Sequence, residues 1–427
     1  MRRIELHLLL SSACAAAPPA EYGPSDNEVV TRPTDCVDVL PADLSEALSR
    51  SSSGDALCMG RGEFHGRVQI PAGVTLFGDR DSVIRSKGLG TTVTLTSSSA
   101  LLGLTVDGSG GRFDVLDAAV KVSGTGARVE GVTVRNSVFG VLVERAKKVR
   151  VIGNRVHGVG GSALGMRGDG IRLWETDESL VEANWVEDAR DCVVWYSRHN
   201  RVLGNKISRG RYGVHLMYSH RNEVRGNRFE SNEVGVFAMY SDDLAVEHNE
   251  MLGSIGAAGM GLGLKESSRL SIRNNRMIRN SIGVFTDNSP IAKGDTNRFE
   301  RNEIRLSDVG MSFLGAPHDV ELRDNRFADN FTQVRVEGGG DALSILWAGN
   351  LWDDYAGYDL DDDGVGDVPY ELDDLSSSLE ARYPDLAFLR GTLALAFVSV
   401  AGRAVPLLAT HPMVRDATPR VRVERAN

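Results

Sequence analysis

A small hydroxyl residue followed eight positions later by an asparagine recurs from Thr176 to Asn297 without drifting. The pairs are Thr176 with Asn184, Ser197 with Asn205, Ser219 with Asn227, Ser241 with Asn249, Ser267 with Asn275 and Ser289 with Asn297. Ala146 with Asn154 opens the series without the hydroxyl, and successive asparagines lie 30, 21, 22, 22, 26 and 22 residues apart. A fixed internal spacing repeated every 20–30 residues is the mark of a solenoid, in which each repeat stacks on its neighbours. It constrains this chain more than its length does, because 427 residues in a linear stack need no single globular core.

Each repeat carries two apolar strand patterns. One contains the asparagine (GNRV, ANWV, GNKI, GNRF, HNEM, NNRM), and the other is glycine-led (GIRL, GVHL, GVFA, GLGL, GVFT). Short strands rich in β-branched residues, separated by turn residues and lacking helical periodicity, predict an all-β fold. That fold is a single-stranded right-handed parallel β-helix of about 12 rungs, a pectin-lyase-like solenoid. A short helix near 42–50, with Asp43 at its N-terminus, is the expected end cap. The chain divides into an export signal and linker (1–34), a cap with first strands (35–72), the β-helix (73–350), an acidic segment (351–385) and a tail (386–427).

At the coil corners an asparagine side chain can bond the next asparagine and nearby backbone, satisfying polar groups that the core would leave unpaired. Asn154, Asn184, Asn205, Asn227, Asn249, Asn275 and Asn297 are therefore assigned to a structural ladder. Ser197, Ser219, Ser241, Ser267 and Ser289 form a second one, and neither ladder is catalytic.

Strand alternation then identifies which residues face out. One outward column reads Glu144, Trp174, Trp195, Met217, Met239, Lys265, Asp287; the next reads Leu142, Arg172, Val193, His215, Phe237, Gly263, Phe285. An apolar patch on an outer face marks a binding surface unless loops fold over it. Trp174, Trp195, Met217, Met239, Phe237 and Lys265 are the expected partner-binding residues. Two insertions, around GVGGSALGMRGD and GSIGAAGMG, lengthen the same side of the coil, as insertions on a functional face do. Met217 and Met239, one rung apart, offer two thioethers to a soft ion such as Cu(I), with His215 or His220 near them.

Twelve acidic residues and one base between Leu351 and Asp385 concentrate the charge of a chain whose total is −10. That balance argues against a nucleic-acid partner and for a local cation site. Asp359, Asp361, Asp363 and Asp367, with Gly364 at the sixth place, match the first part of an EF-hand calcium loop; Tyr370 stands where the bidentate glutamate would be. Cys36 and Cys58 fall before the repeats and could bridge in an oxidising compartment, although spacing alone does not fix a pairing. Met1-Arg2-Arg3, the apolar Leu8–Leu10 and the run LLLSSAC ending at Cys14 have the outline of an export or lipoprotein signal. Its apolar part is short and broken by Glu5 and His7, and no stretch reaches the length needed to span a bilayer.

RYGVHLMYS (211–219), VGVFAMYS (234–241), GLGLKESS (261–268) and the run N-x-W-x-D-Y with D-x-D-x-D-G-x-G-D-x-P-Y (350–370) resemble the NosD family. These are periplasmic β-helix proteins required to mature nitrous oxide reductase. The resemblance implies a non-catalytic protein that docks on an ABC transporter of ATPase and permease subunits. It also implies receipt of Cu(I) from a lipoprotein chaperone and delivery to the apo-reductase. Contact with the membrane would then come only through partners or a lipid anchor, with residues 386–427 as the docking tail. The competing expectations are a polysaccharide lyase or epimerase, which the same fold supports, and a carbohydrate-binding rod.

Overall fold

The computed structural model describes residues 22–24, 30–372 apart from 162 and 339, positions scattered between 379 and 398, and 412–421. The region through Glu21, with Cys14, lies outside the described residues, as does His411. The chain winds as a parallel β-helix whose three faces are sheets of 14, 13 and 12 strands. The first sheet runs from Cys36–Val39 to Leu346–Ala348, the second from Gly62–His65 to Leu351–Trp352, and the third from Val68–Ile70 to Thr332–Glu337. The stack has about 14 coils, two more than the repeat predicts. The two further coils carry the strands Cys36–Val39 and Ala56–Met59, which precede residue 73, where the β-helix was expected to begin. At about 4.8 Å per strand, the rod is roughly 60 Å long.

Most strands of the first two sheets are three residues long, with a buried centre and half-buried flanks. Their centres stack in register: Val129, Val151, Val181, Val202, Val224, Val246, Ile272, Phe299 and Leu322 form one column, each at most 5 % exposed. Each such burial contributes about 1.5–3 kcal/mol, so many short strands replace the large core that no single coil could build.

The asparagine ladder closes the corner between the first two sheets. The backbone N–H and side-chain amide of Asn205 both donate to Asn227 Oδ1 at 2.9 Å, and those of Asn227 donate to Asn249 Oδ1 at 2.9 and 3.0 Å. The same pattern links Asn154, Asn184 and Asn205, and continues through Asn275. From Asn275 it passes to Asn302, Asn325 and Asn350. Asn297 is not a member, which corrects the sequence assignment. The turn after Ser289 is five residues longer than in the preceding coils, so the ladder resumes at Asn302 and the eight-residue spacing lands one column early. Asn297 opens a strand of the first sheet and accepts the Leu270 N–H instead.

At the opposite corner the backbone N–H of Thr176, Ser197, Ser219, Ser241 and Ser267 donates to the hydroxyl one coil on, ending at Ser289.

Both ends are covered. The helix Leu44–Arg50 buries Leu44 and Leu48 over the first coil, and Cys36 and Cys58 on adjacent strands are joined by a disulfide. At the far end Tyr370 stacks on Trp352 and Trp352 on Phe327. The strand Val414–Asp416 pairs antiparallel with Tyr370–Leu372. Asp416, fully buried, accepts both N–H groups of Asn350 and the indole N–H of Trp352. Residues 412–421 of the expected docking tail therefore seal the rod.

Candidate functional site

The outer face of the third sheet gathers the chemistry. Strand pairing aligns Glu144, Trp174, Trp195, Met217, Met239, Lys265 and Asp287 in one column. It aligns Leu142, Arg172, Val193, His215, Phe237, Gly263 and Phe285 in the next. The first column is half-exposed throughout. Its apolar run is bounded at both ends by ion pairs, Lys121 with Glu144 at 2.8 Å and Lys265 with Asp287 at 3.2 Å.

The second column differs from the sequence expectation, since most of it is not a surface. Leu142, Arg172, Val193 and His215 are at most 8 % exposed. Leu142 packs with Ala118 and Phe139, and His215 is enclosed by the rings of Tyr212, Trp195 and Phe237, with centroids 4.6, 5.3 and 6.1 Å away. The Phe237 ring lies over Gly263, where a Cβ would stand 2.5 Å from Phe237 Cδ2.

His215 therefore sits on the floor of the strip. Its Nε2 lies 3.2 Å from Met239 Sδ, and its Nδ1 accepts the indole N–H of Trp195 at 3.3 Å. Burial pushes its pKa down to about 4, so the ring is neutral near pH 7 and, with Nδ1 accepting from the indole, its Nε2–H faces the thioether. His220 is not part of this group: its Nδ1 accepts the backbone N–H of Asp242 at 3.1 Å, past the Tyr218 turn. Beside the strip lies a buried charge network. Asp169 accepts Arg190 and Arg172, and Asp191 accepts Arg211 through two bonds. The Arg172 guanidinium lies 4.4 Å from the Trp174 ring and 5.4 Å from that of Trp195. Burial raises the Asp169 pKa, opposed by Arg190 and Arg172.

Two walls flank the strip. Both insertions enter the third sheet at the same corner: residues 158–170 precede Ile171–Trp174, and residues 253–259 precede Met260–Lys265. Within the first, Arg167 donates to the Arg209 carbonyl and Asp169 is buried, so the Arg-Gly-Asp run is loop structure. The other wall is a feature that sequence reasoning missed. Tyr196, Tyr218 and Tyr240, each one position past the first column and each left-handed with φ of 52, 50 and 51°, stack face to face. Their centroids are 5.4 and 4.9 Å apart, and Trp174 meets Tyr196 edge-on at 5.2 Å. Tyr196 and Tyr218 are 46 and 43 % exposed. The signal was present as an aromatic before the ladder serine in WYS, MYS and MYS; strand alternation gives no direction for a residue at a corner.

In the acidic turn, oxygens of Asp359, Asp361 and Asp363 lie within 4.8 Å of one another. Asp359 also accepts the N–H of Gly364, and Asp367 that of Leu360. Asp363 raises the Asp361 pKa by like-charge repulsion. Tyr370, at the twelfth loop position, is buried in the ring stack with Trp352.

A parallel β-helix bearing one aromatic and thioether strip between two walls defines the class of this protein. Residues 154–357 match the family described as "Periplasmic copper-binding protein (NosD)". Two curated relatives each bear the name "Probable ABC transporter binding protein NosD". The chain is 31 % identical to that of Pseudomonas aeruginosa over 405 residues, 90 % of this chain and 92 % of the relative. It is 28 % identical to that of Stutzerimonas stutzeri over 377 residues, 85 % and 86 % of the two chains. The chain belongs to the NosD family. Among solved structures, the A-module of Azotobacter vinelandii mannuronan C-5 epimerase AlgE6 superposes with a TM-score of 0.57 at 14 % identity, covering 73 % of this chain and 94 % of its own. The catalytic unit of an α-1,3-glucanase from Streptomyces thermodiastaticus gives 0.53 at 15 % identity, covering 74 % and 66 %. At such identities the likeness is of fold alone.

Proposed function

We propose that this protein is a non-catalytic periplasmic accessory factor that holds Cu(I) in transit on the third-sheet face during copper-site assembly in nitrous oxide reductase. The observation that carries this reading is the contact between His215 Nε2 and Met239 Sδ at 3.2 Å, with Met217 adjacent in the same column. Imidazole and thioether are ligands that suit Cu(I), and few ligands with half-exposed sulfur favour transfer over storage. The names of the relatives support an ABC transporter, ATPase and permease, as one partner. A copper-chaperone lipoprotein and the apo-reductase complete the set, docking on Trp174, Trp195, Met217, Met239, Phe237 and Lys265 between the walls. The acidic turn takes a structural Ca2+ through Asp359, Asp361, Asp363 and Asp367.

The enzyme reading is weaker on this face. A lyase or epimerase needs a carboxylate, His or Tyr to move a proton and a free cation to neutralise the uronate. Here Asp169 and Asp191 are bound to Arg172, Arg190 and Arg211. A sugar-binding rod would present aromatic faces, whereas Tyr196, Tyr218 and Tyr240 turn theirs to each other.

Anaerobic titration with Cu(I) against a chromophoric chelator tests the proposal. Parent protein should compete for one ion, and Met239→Ala and His215→Ala should each weaken binding by about tenfold or more. Equal binding by parent and double variant would remove the site. Appearance of unsaturated chain ends or of epimerised residues in a uronate polymer would overturn the non-catalytic assignment.

A further inference from the structure

Both ring nitrogens of His215 are engaged, and by different kinds of partner. Trp195 Nε1 donates to His215 Nδ1 at 3.3 Å, and His215 Nε2 faces Met239 Sδ at 3.2 Å. An indole nitrogen only donates. Nδ1 must therefore carry the lone pair, and the neutral ring carries its proton on Nε2, directed at the sulfur. A metal ion binds a lone pair and not an N–H. As the side chains stand, the nitrogen beside the thioether has no lone pair to offer, and the nitrogen that has one is covered by an indole.

We infer that Trp195 is a lock on this histidine, a positioning residue that keeps the His215–Met239 pair closed to metal until the indole turns away. The inference rests on the copper reading above. Two routes open the pair. In one, the ring exchanges its Nε2 proton for one on Nδ1, with water giving and taking a proton, so the net proton count is unchanged. Nε2 then ligates beside Met239, but the new Nδ1–H would point at the Trp195 N–H, donor against donor. In the other, Nδ1 ligates directly and must first shed the indole. Both routes require the Trp195 N–H to leave.

The surroundings allow that movement. Trp195 is in the half-exposed column rather than the core. Its ring is held by Trp174 at 5.7 Å, by the Arg172 guanidinium at 5.4 Å and by the one bond to His215. It also stands one residue before Tyr196, the start of the exposed tyrosine stack. A protein that grips this wall would pull on the residue that covers the metal ligand.

Trp195→Phe keeps an aromatic ring and deletes only the N–H. Cu(I) affinity of the full chain, measured anaerobically by chelator competition, should rise by about tenfold. The ¹⁵N chemical shifts of His215 should move from a fixed Nε2–H tautomer toward a mixture of the two. Circular dichroism and thermal melting of both proteins check that the rod is unchanged. If Trp195→Phe binds Cu(I) no tighter than the parent while His215→Ala loses binding, the lock is wrong and the copper site stands. If His215→Ala and Met239→Ala bind Cu(I) as the parent does, the copper site fails and the lock fails with it. Tighter binding by Trp195→Phe that vanishes in Trp195→Phe/His215→Ala supports both.

Discussion

Asn227 shows how much one side chain carries in this fold. Its Oδ1 accepts two donors from Asn205, and its amide donates to Val202 O at 2.8 Å and to Asn249 Oδ1 at 3.0 Å. Asn227→Ala would leave the buried Asn205 N–H without its partner and take one donor from the Val202 carbonyl, a loss of about 2–4 kcal/mol in urea unfolding; a change below about 0.5 kcal/mol would mean that water replaces the ladder. Cys192 illustrates the opposite case of a group made inert. Burial pushes its thiol up to about 12, so it should resist a thiol reagent at pH 8 in the folded protein and react at once in denaturant. At this scale the sequence was informative wherever a residue type has one geometric job. Serine and asparagine at corners were legible from spacing, and Asn297 was misplaced only because a lengthened turn broke the count. The tyrosine stack was not legible, because its direction is set by the left-handed backbone at positions 196, 218 and 240, not by a strand period.

Among the elements, strand alternation gave the third sheet's outward columns residue by residue, and the pairing places them so. Depth was the part it could not supply. Whether His215 or Trp195 lies uppermost depends on the bulk of neighbouring rings in three adjacent rungs, which no single strand contains. Gly263 is the clearest instance. Gly263→Ala should push the Phe237 ring off its seat and destabilise the protein by about 1–3 kcal/mol, visible as a changed aromatic near-UV signal with the far-UV signal retained. The acidic turn has its own test. Added Ca2+ should raise the melting temperature and EDTA reverse it, and Asp361→Asn should blunt the response. A melting temperature indifferent to Ca2+ would leave the turn as solvated acidic loop.

For the whole molecule, stability is a sum of coil-to-coil contacts, so the open ends matter most. Asp416 closes the lower end by taking the donors that Asn350 would pass to a further coil. A chain stopped before residue 412 should expose the last strand edges and associate end to end, detectable by light scattering as a mass above that of the monomer; a well-behaved monomer would show that residues 412–421 are dispensable. The coil count also fixes a distance. Met239 lies on the strand Val234–Met239, and four more strands of the third sheet follow before the sealed end, about 19 Å away at the strand spacing. Because the coils from Thr176 to Ser289 repeat the same two corners, adding or deleting one below the ligands would slide them along the axis by a fixed step without altering their surroundings. Reach in such a protein is quantised: the gap between whatever grips the lower end and whatever collects the ion can change only in whole coils, so a partner's dimensions are matched by counting rather than by bending.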